Sequence, residues 1–257
     1  MGLKQVYAQR AILWGLVCSN FKGQYKNSKL GILWQFITPA IIVILFYIVF
    51  TSIRISNAED FWLLLCVGIF PYTFMESAIV SGSMCLVTNG HIIKKMYFPR
   101  EIIVIAHVIV ALITFIITFT LILILGIVMG HDINLVYFIE LIPVTFITLI
   151  FNIGMALLLS SIVVYFRDLG YFINAVARLM FWMSPTIYTI RDVSGILKEI
   201  MMCNPLTYFI SCYHELIYYN NQLSIINVVF CISLAILVLV AGLVVFKKLE
   251  GGFAERL

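Results

Sequence analysis

Charged side chains are scarce in this sequence: Asp, Glu, Lys and Arg make up 11% of its 257 residues, whereas hydrophobic residues make up 63%. A soluble domain carries about 25% charged residues. A chain with so little polar surface cannot cover itself in water, and a lipid bilayer is the solvent that suits it. The composition predicts an integral membrane protein. The net charge of +4 forms no basic, polar face that would indicate nucleic acid.

The sequence also lacks the motifs that would indicate catalysis or a metal site. It contains no G-x-x-x-x-G-K-[ST] phosphate loop and no H-E-x-x-H or G-x-S-x-G pattern. Its 6 Cys form no C-x-x-C pair with a His partner, although the spacing of Cys203 and Cys212 is compatible with a disulfide in one loop. We therefore expect no catalytic residue, metal or cofactor in this chain.

Long apolar runs take up most of the sequence, and a spanning helix needs about 20 apolar residues. Six segments reach this length, namely Ile32–Ile53, Phe61–Met84, Ile102–Met129, Leu135–Tyr165, Tyr171–Ile190 and Ile225–Phe246. Before them, the apolar spacing from Leu3 to Phe21 predicts an amphipathic helix in the membrane interface. The expected fold is an all-α polytopic membrane protein. One transmembrane domain covers residues 1–257, with residues 1–31 as its interface region and short outer helices before the last span.

The basic residues of the loops predict the orientation, because Lys and Arg accumulate on the cytoplasmic side of membrane proteins. With the N-terminus inside, three basic residues fall outside: Arg54, Arg191 and Lys198. Twelve fall inside, namely Lys4, Arg10, Lys22, Lys26, Lys29, Lys94, Lys95, Arg100, Arg167, Lys247, Lys248 and Arg256. We expect a protein of the cytoplasmic (inner) membrane with both termini in the cytoplasm.

Two ionisable residues, Glu76 and Arg178, lie deep within predicted spans. Charged groups are costly in hydrocarbon and usually face a polar cavity or each other. Each could line a polar cavity, or the two could pair as a structural bridge. A membrane glycosyltransferase would show clustered acidic residues in an inner loop, where this chain has only Glu101 and Asp168. A secondary carrier would show paired broken helices, so both classes are disfavoured.

Five short motifs resemble those of one family. "YKNSKLGILWQFITP" (Tyr25–Pro39) is similar to a Y-x-x-S-x-L-G-x-x-W-x-x-x-x-P pattern at the entrance to a first span. The other four are "KKMYFPREI" (Lys94–Ile102), "VYFRDL" (Val164–Leu169), "NPLTYFI" (Asn204–Ile210) and "FKKLEGGFAERL" (Phe246–Leu257). With six predicted spans, the chain resembles the membrane subunit of ABC-2-type exporters. Within them it resembles the permeases that export lipid-linked polysaccharides such as O-antigen, capsule and teichoic acid.

The resemblance implies roles for two cytoplasmic loops. The first would contain a coupling helix that docks on a separate ATPase subunit, and the second would lie near the same subunit. The residues that this implies for coupling are Lys94, Lys95, Met96, Tyr97, Phe98, Pro99, Arg100, Glu101, Arg167 and Asp168. The chain departs from the family pattern at His214, which follows Tyr213 where the family usually has an Arg. That departure leaves in question whether a charge on the exit side has a role in this chain.

The resemblance also implies a path for the glycan. The N-terminal helix would lie near the site where the lipid-linked substrate enters, and aromatic side chains along the path could face sugar rings. The candidate residues are Tyr25, Lys26, Ser28, Gly31, Trp34, Phe36, Tyr47, Tyr72, Glu76, Arg178, Phe181, Trp182 and Tyr188. For each aromatic residue, lipid packing or an interfacial belt is the alternative.

The expected assembly follows from the size of the chain. Six spans make a poor conduit for a polymer, so two copies would enclose the path. Two ATP-binding ABC subunits would bind the ATP and Mg. The expected partners are thus a second copy, two ABC subunits, a lipid-linked glycan and membrane lipids, without nucleic acid. An ABC-2 exporter of drugs or small lipids is the alternative.

Overall fold

The computed structural model describes residues 9–25, 29–31, 33–52, 60–95, 99–131 and 135–256, and the regular secondary structure in these ranges is helical. The helices are α1 (Arg10–Tyr25), α2 (Leu33–Ser52), α3 (Phe61–Thr88), α4 (Gly90–Lys95), α5 (Glu101–Val128), α6 (Leu135–Tyr165), α7 (Leu169–Trp182), α8 (Ile196–Cys203), α9 (Pro205–Tyr213), α10 (Ile225–Leu249) and α11 (Phe253–Arg256). A π-helical turn at His214–Tyr218 extends α9, and a 3₁₀ turn at Glu250–Gly252 separates α10 from α11. The predicted all-α class is confirmed.

Helix length and composition indicate which helices can span a membrane. Among the described residues, four helices are long and apolar enough to cross a membrane: α3, α5, α6 and α10. The apolar parts of α2 and α7, Phe36–Ser52 and Leu169–Trp182, are shorter than 18 residues. The protein is therefore a multi-pass membrane protein, and the count of six spans stays a prediction.

The predicted span Tyr171–Ile190 is helical only to Trp182. Pro185 cannot donate a backbone hydrogen bond, which disfavours continuing the helix. The chain beyond α7 instead packs on α3, where a Cβ added to Gly68 would lie 2.2 Å from the carbonyl oxygen of Thr186. Glycine permits this close approach because it has no side chain. Hydropathy does not reveal the helix end, because the apolar run continues past it.

α3 is the centre of the bundle. It packs against α2, α5, α6, α7 and α9. Its Leu63, Leu65, Ile69 and Met75 side chains are completely buried. α10, by contrast, exposes large apolar side chains such as Ile226 to the outside of the bundle. Lipid can cover those exposed groups, so α3 is the helix whose surroundings are set by the protein itself.

The bundle has two distinct ends. At one end α4, the start of α5, the end of α6 and α11 lie together, and we call this the α4 end. At the other, which we call the α9 end, His131 after α5 bonds through Nδ1 to Oδ2 of Asp60 at 3.2 Å and faces the Ile217 carbonyl through Nε2 at 3.4 Å. The expected topology places the α4 end in the cytoplasm, and this orientation stays a prediction.

α1 lies against the outside of α5. The predicted helix Leu3–Phe21 is observed from Arg10 onward, since residues 1–8 lie outside the described ranges. Val17 is 1% exposed and packs with Ala106 and Val110 of α5, whereas Trp14 on the opposite side is 62% exposed. One face thus contacts the bundle and the other faces outward, as an interfacial helix would.

The two short helices predicted before the last span are α8 and α9. Asn204 begins α9, because its side-chain oxygen accepts a hydrogen bond from the Leu206 amide at 3.0 Å and Pro205 occupies the first turn. α9 then enters the bundle, so Cys212 is buried whereas Cys203 is exposed, and both are free thiols. The disulfide that their spacing allowed is absent.

α6 and α10 form a close helix pair. A Cβ on Gly242 would lie 2.3 Å from the carbonyl oxygen of Gly154, and a Cβ on Gly154 would lie 2.6 Å from the amide nitrogen of Leu239. In a membrane, helices gain van der Waals contact where small residues let the backbones approach. These two glycines therefore fix the distance between α6 and α10.

We expect Gly242→Leu to destabilise the protein, because the added side chain would overlap the α6 backbone. Overpacking of this kind costs about 1–3 kcal/mol. The melting temperature of the purified protein in mild detergent measures the effect. Val244→Leu is the control, because Val244 lies on the same helix and is 60% exposed. Equal melting temperatures for the two variants would contradict the assignment.

Candidate functional site

A cavity of about 730 Å³ opens between α2, α3 and α5. Its lining combines aromatic rings, hydroxyl groups and one carboxylate. The residues that line it are Gln24, Trp34, Thr38, Pro39, Ile42, Phe70, Thr73, Phe74, Glu76, Ser77, Val80, Ala111, Thr114, Phe115, Thr118 and Asn174. Glu76 is the one residue among these lining groups that ordinarily carries a charge.

A second cavity, of about 470 Å³, continues toward the α4 end and shares Gln24, Ser77 and Ala111 with the first. Its lining is Ser19, Asn20, Gly23, Gln24, Ser77, Ser81, Asn89, His107, Val110 and Ala111. We call the two cavities together the polar groove. At this end the Asn20 amide nitrogen lies 3.3 Å from Nδ1 of His107, which connects α1 to α5.

Hydroxyl side chains repeat along the walls of the polar groove. Thr73, Ser77 and Ser81 follow one another at four-residue spacing and share one face of α3, and Thr114 and Thr118 do the same on α5. Thr73, Ser81 and Thr118 donate their protons to backbone carbonyls of the preceding turn, at 2.8, 2.6 and 2.9 Å. Their oxygens remain acceptors. This stripe was not predicted from the sequence, although its four-residue spacing within apolar spans was the available signal.

Glu76 lines the polar groove and does not pair with Arg178. Within the described part of the chain, the two residues form no ion pair at 4.0 Å or less. Arg178 is exposed on α7 instead. On its other side, Glu76 borders an apolar pocket of about 350 Å³. Glu76 thus lines a polar cavity, while Arg178 remains near enough to interact with it electrostatically, so both roles stay predictions.

Two of the predicted path aromatics lie at the polar groove or beside it. Trp34 lines the groove and is 50% exposed. Phe36 packs near Phe70, a ring of the groove wall, with the ring centroids 6.2 Å apart. Gly31, just before α2, has a positive φ of 51° in the turn that leads to Trp34.

The other predicted aromatics form a cluster between α2, α3 and α7. Tyr72 is buried, donates its hydroxyl to the carbonyl of Ala177 and lies 5.3 Å from the ring of Phe181. Tyr47 and Trp182 are exposed on α2 and α7, and Tyr188 donates to the Trp182 carbonyl. The contacts of Tyr72 join α3 to α7. Whether the exposed rings also meet a glycan stays a prediction.

Three predicted entrance residues have no described side chain. Tyr25 closes α1, but its side chain lies outside the described set. Lys26 and Ser28 fall in the gap between residues 25 and 29. Their predicted roles stand on the sequence alone.

A short helix, α4 (Gly90–Lys95), lies at the start of the loop in which a coupling helix is expected, and its coupling role stays a prediction. The side chains of Lys94 and Lys95, and all of Met96, Tyr97 and Phe98, lie outside the described residues. Pro99 follows and leads into α5.

The remaining predicted coupling residues lie at the same end of the bundle. Arg100 donates a hydrogen bond to the carbonyl of Glu250, and Glu101 is 4% exposed. Arg167 is exposed and donates to the Arg256 carbonyl at 3.1 Å, and Asp168 is exposed beside it. The structure therefore brings the two predicted coupling loops to one end of the bundle.

Charge at the α9 end is carried by an ion pair. Nη2 of Arg191 lies 2.7 Å from both carboxylate oxygens of Glu215, and the guanidinium lies 3.9 Å from the Tyr219 ring centroid. His214 is 2% exposed, and its burial lowers its pKa to about 4. The imidazole is therefore neutral near pH 7 and does not replace the charge of the Arg usual in the family.

Comparison with known proteins gives matches over most of the chain. Residues 12–218 match the ABC-2 type transporter family. The chain is 29% identical over 240 residues to an O-antigen export system permease protein RfbA of Klebsiella pneumoniae, covering 93% of this chain and 92% of that protein. It is 25% identical over 260 residues to the protein of the same name from Myxococcus xanthus, covering 99% and 98%. A second Klebsiella pneumoniae RfbA is 27% identical over 238 residues.

We expect acid to destabilise the protein partly through His214. The ordinary pKa of His is 6.5, and that of folded His214 is about 4. At pH values between these two, the unfolded chain binds a proton at His214 that the folded chain excludes. The free energy of unfolding therefore falls as the pH falls through this window, by at most about 3 kcal/mol from this residue. In detergent, the melting temperature of His214→Gln should fall less between pH 7 and pH 5 than that of the unmodified protein. An equal fall would show that His214 accepts a proton in the folded state.

Proposed function

The chain belongs to the ABC-2 type transporter family, and we propose that it is the transmembrane subunit of an ATP-driven exporter of a lipid-linked polysaccharide. The relatives with nearly full-length matches are named as O-antigen export permeases. The observation in the structure that carries the proposal is the polar groove, which is lined by hydroxyls and aromatic rings within a mostly apolar bundle.

The chemistry of the polar groove suits a glycan. Sugars carry many hydroxyl donors, and the oxygens of Thr73, Ser81 and Thr118 remain free to accept hydrogen bonds after donating their own protons. Aromatic faces such as Trp34 can pack on the C–H faces of sugar rings. Single neutral hydrogen bonds contribute only about 0.5–1.5 kcal/mol each. Such contacts can break and reform as a polymer slides. A hydroxyl-lined wall would contribute fewer hydrogen bonds to transport in a drug exporter.

The energy for transport would come from separate subunits. The sequence has no phosphate loop, so we propose that two ABC subunits bind the ATP and Mg and dock on the loops around α4 and around Arg167 and Asp168. Phe166, which was not among the predicted coupling residues, lies beside this second loop and is 69% exposed. It is a further candidate for the docking surface.

Two copies of the chain would enclose the complete path. The polar groove is open to its surroundings, so one copy does not surround a polymer. Arg178 of α7 is exposed, and a second copy could shield this charge from lipid, where an exposed charge is costly. We place the complex in the cytoplasmic membrane with the α4 end inside, from the distribution of basic residues.

The groove hydroxyls provide the test. We expect Thr114→Val/Thr118→Val to reduce ATP-dependent export of a lipid-linked glycan from reconstituted vesicles by roughly fivefold per lost hydrogen bond of about 1 kcal/mol. The same substitution at Thr120, which is exposed on the other side of α5 and lines a different pocket, is the control. Unchanged export in the double variant, or an equal loss in Thr120→Val, would contradict the proposed path.

A further inference from the structure

The last described residues of the chain fold back onto the α4 end. After α10 and the 3₁₀ turn Glu250–Gly252, α11 packs against α4 and α6. We call Leu249–Arg256 the C-terminal clasp. A four-residue helix such as α11 is too short to be stable alone, so its position depends on the contacts that it makes with its neighbours.

The C-terminal clasp holds the exit of the first coupling loop. Arg100, between that loop and α5, donates a hydrogen bond to the backbone carbonyl of Glu250. Its guanidinium also lies 5.8 Å from the ring centroid of Phe253. Because the acceptor is a backbone carbonyl, the bond fixes the path of the chain.

The C-terminal clasp also holds the start of the second coupling loop. The Tyr165 hydroxyl donates to the Leu249 carbonyl at 3.0 Å, and Arg167 donates to the Arg256 carbonyl at 3.1 Å. Arg256 in turn lies 5.5 Å from the Tyr165 ring centroid. Gly252 allows this contact, because a Cβ there would lie 2.3 Å from the Tyr165 hydroxyl.

Phe253 fills the centre of the C-terminal clasp. It is completely buried, with its ring centroid 5.3 Å from that of Phe246 and 6.3 Å from that of Tyr165. Phe246 belongs to α10, so one ring connects the clasp, the end of α6 and the last long helix. Loss of this ring would leave a cavity at the point where the three segments meet.

Charge around Arg100 reinforces this arrangement. The carboxyl groups of Glu250 and Glu101 lie near enough to interact with each other, and the Arg100 guanidinium lies beside them. Glu101 is 4% exposed, and its Oε2 has no hydrogen-bond partner among the described groups. Removing the Arg100 cation would leave two partly desolvated acidic groups close together.

We infer that the C-terminal clasp makes the two coupling loops and α10 move as one unit, so that force from the ATPase subunits at either loop reaches the spans. This inference rests on the proposed function, which assigns the docking of the ATPase to these loops. Arg100, Tyr165 and Phe253 are then positioning residues for transport. They contact neither ATP nor the glycan.

The test compares ATP hydrolysis with export in the same vesicles, using the full chain reconstituted with its ABC subunits. We expect Phe253→Ala to assemble normally and to hydrolyse ATP within about twofold of the unmodified complex. It should export at least fivefold less glycan per ATP hydrolysed. Phe253→Leu, which fills most of the same space, should restore most of the glycan exported per ATP. Tyr165→Phe tests the hydroxyl alone, and Tyr171→Phe, at a residue 76% exposed, is its matched control.

Hydrogen exchange of the membrane chain alone gives a second readout that does not require transport. In Phe253→Ala, amide exchange should rise in both residues 90–101 and residues 165–170, and Glu255→Gln, at an exposed position of α11, should leave it unchanged. An unchanged export ratio, or loss of export only in proportion to lost assembly, would overturn the inference. If the unmodified complex exports no glycan, the proposed function fails. In that case hydrogen exchange still tests the clasp, and faster exchange in only one loop, or in neither, would overturn the inference that the clasp links the two loops.

Discussion

Lipid supplies no hydrogen bonds to polar side chains, and this constraint determines how α3 can carry a carboxylate and a row of hydroxyls through the bundle. α3 is surrounded by protein on most sides, so its polar residues face either packed neighbours or the polar groove. Several hydroxyls bond to carbonyls of their own helix, which makes them tolerable in an apolar region. Glu76 has no ion-pair partner in the described structure and lies at the groove. The groove therefore explains why these residues can occupy α3.

The polar groove and the C-terminal clasp lie within one helix bundle and meet at its α4 end. The groove begins near Asn89 and His107, close to α4, where the clasp contacts both predicted coupling loops. The helix pair formed by α6 and α10 connects the clasp to the other end through close glycine contacts. Movement at the loops can reach the spans through these rigid contacts, because closely packed helices shift together. This geometry fits a protein that links ATP hydrolysis at one surface to transport along another.

The sequence predicts the class of fold well, because hydrophobic residues greatly outnumber charged ones along the chain. Composition and long apolar runs identify a helical membrane protein. Trp34 was one of the aromatic path candidates, and it lines the groove, although its contact with a glycan stays a prediction. Aromatic residue type alone could not separate Trp34 from Tyr72, because burial depends on which helix packs opposite. The end of α7 at Trp182 was missed because hydropathy continues beyond it. The C-terminal clasp was missed because its bonds join residues about 85 to 150 positions apart, at Tyr165 and Arg100.

We propose that the polar groove is the path of the glycan, and such a groove should be accessible to water. A single cysteine at Ser77, in a chain without its native cysteines, measures this directly with a water-soluble, membrane-impermeant thiol reagent. Ser77 is exposed in the groove, whereas Ile116 is 49% exposed on the other side of α5. We expect the Ser77→Cys protein to be labelled, bound lipid-linked glycan to slow that labelling, and Ile116→Cys to remain unlabelled in the membrane. No labelling at Ser77→Cys, or a rate that the glycan does not change, would contradict the account.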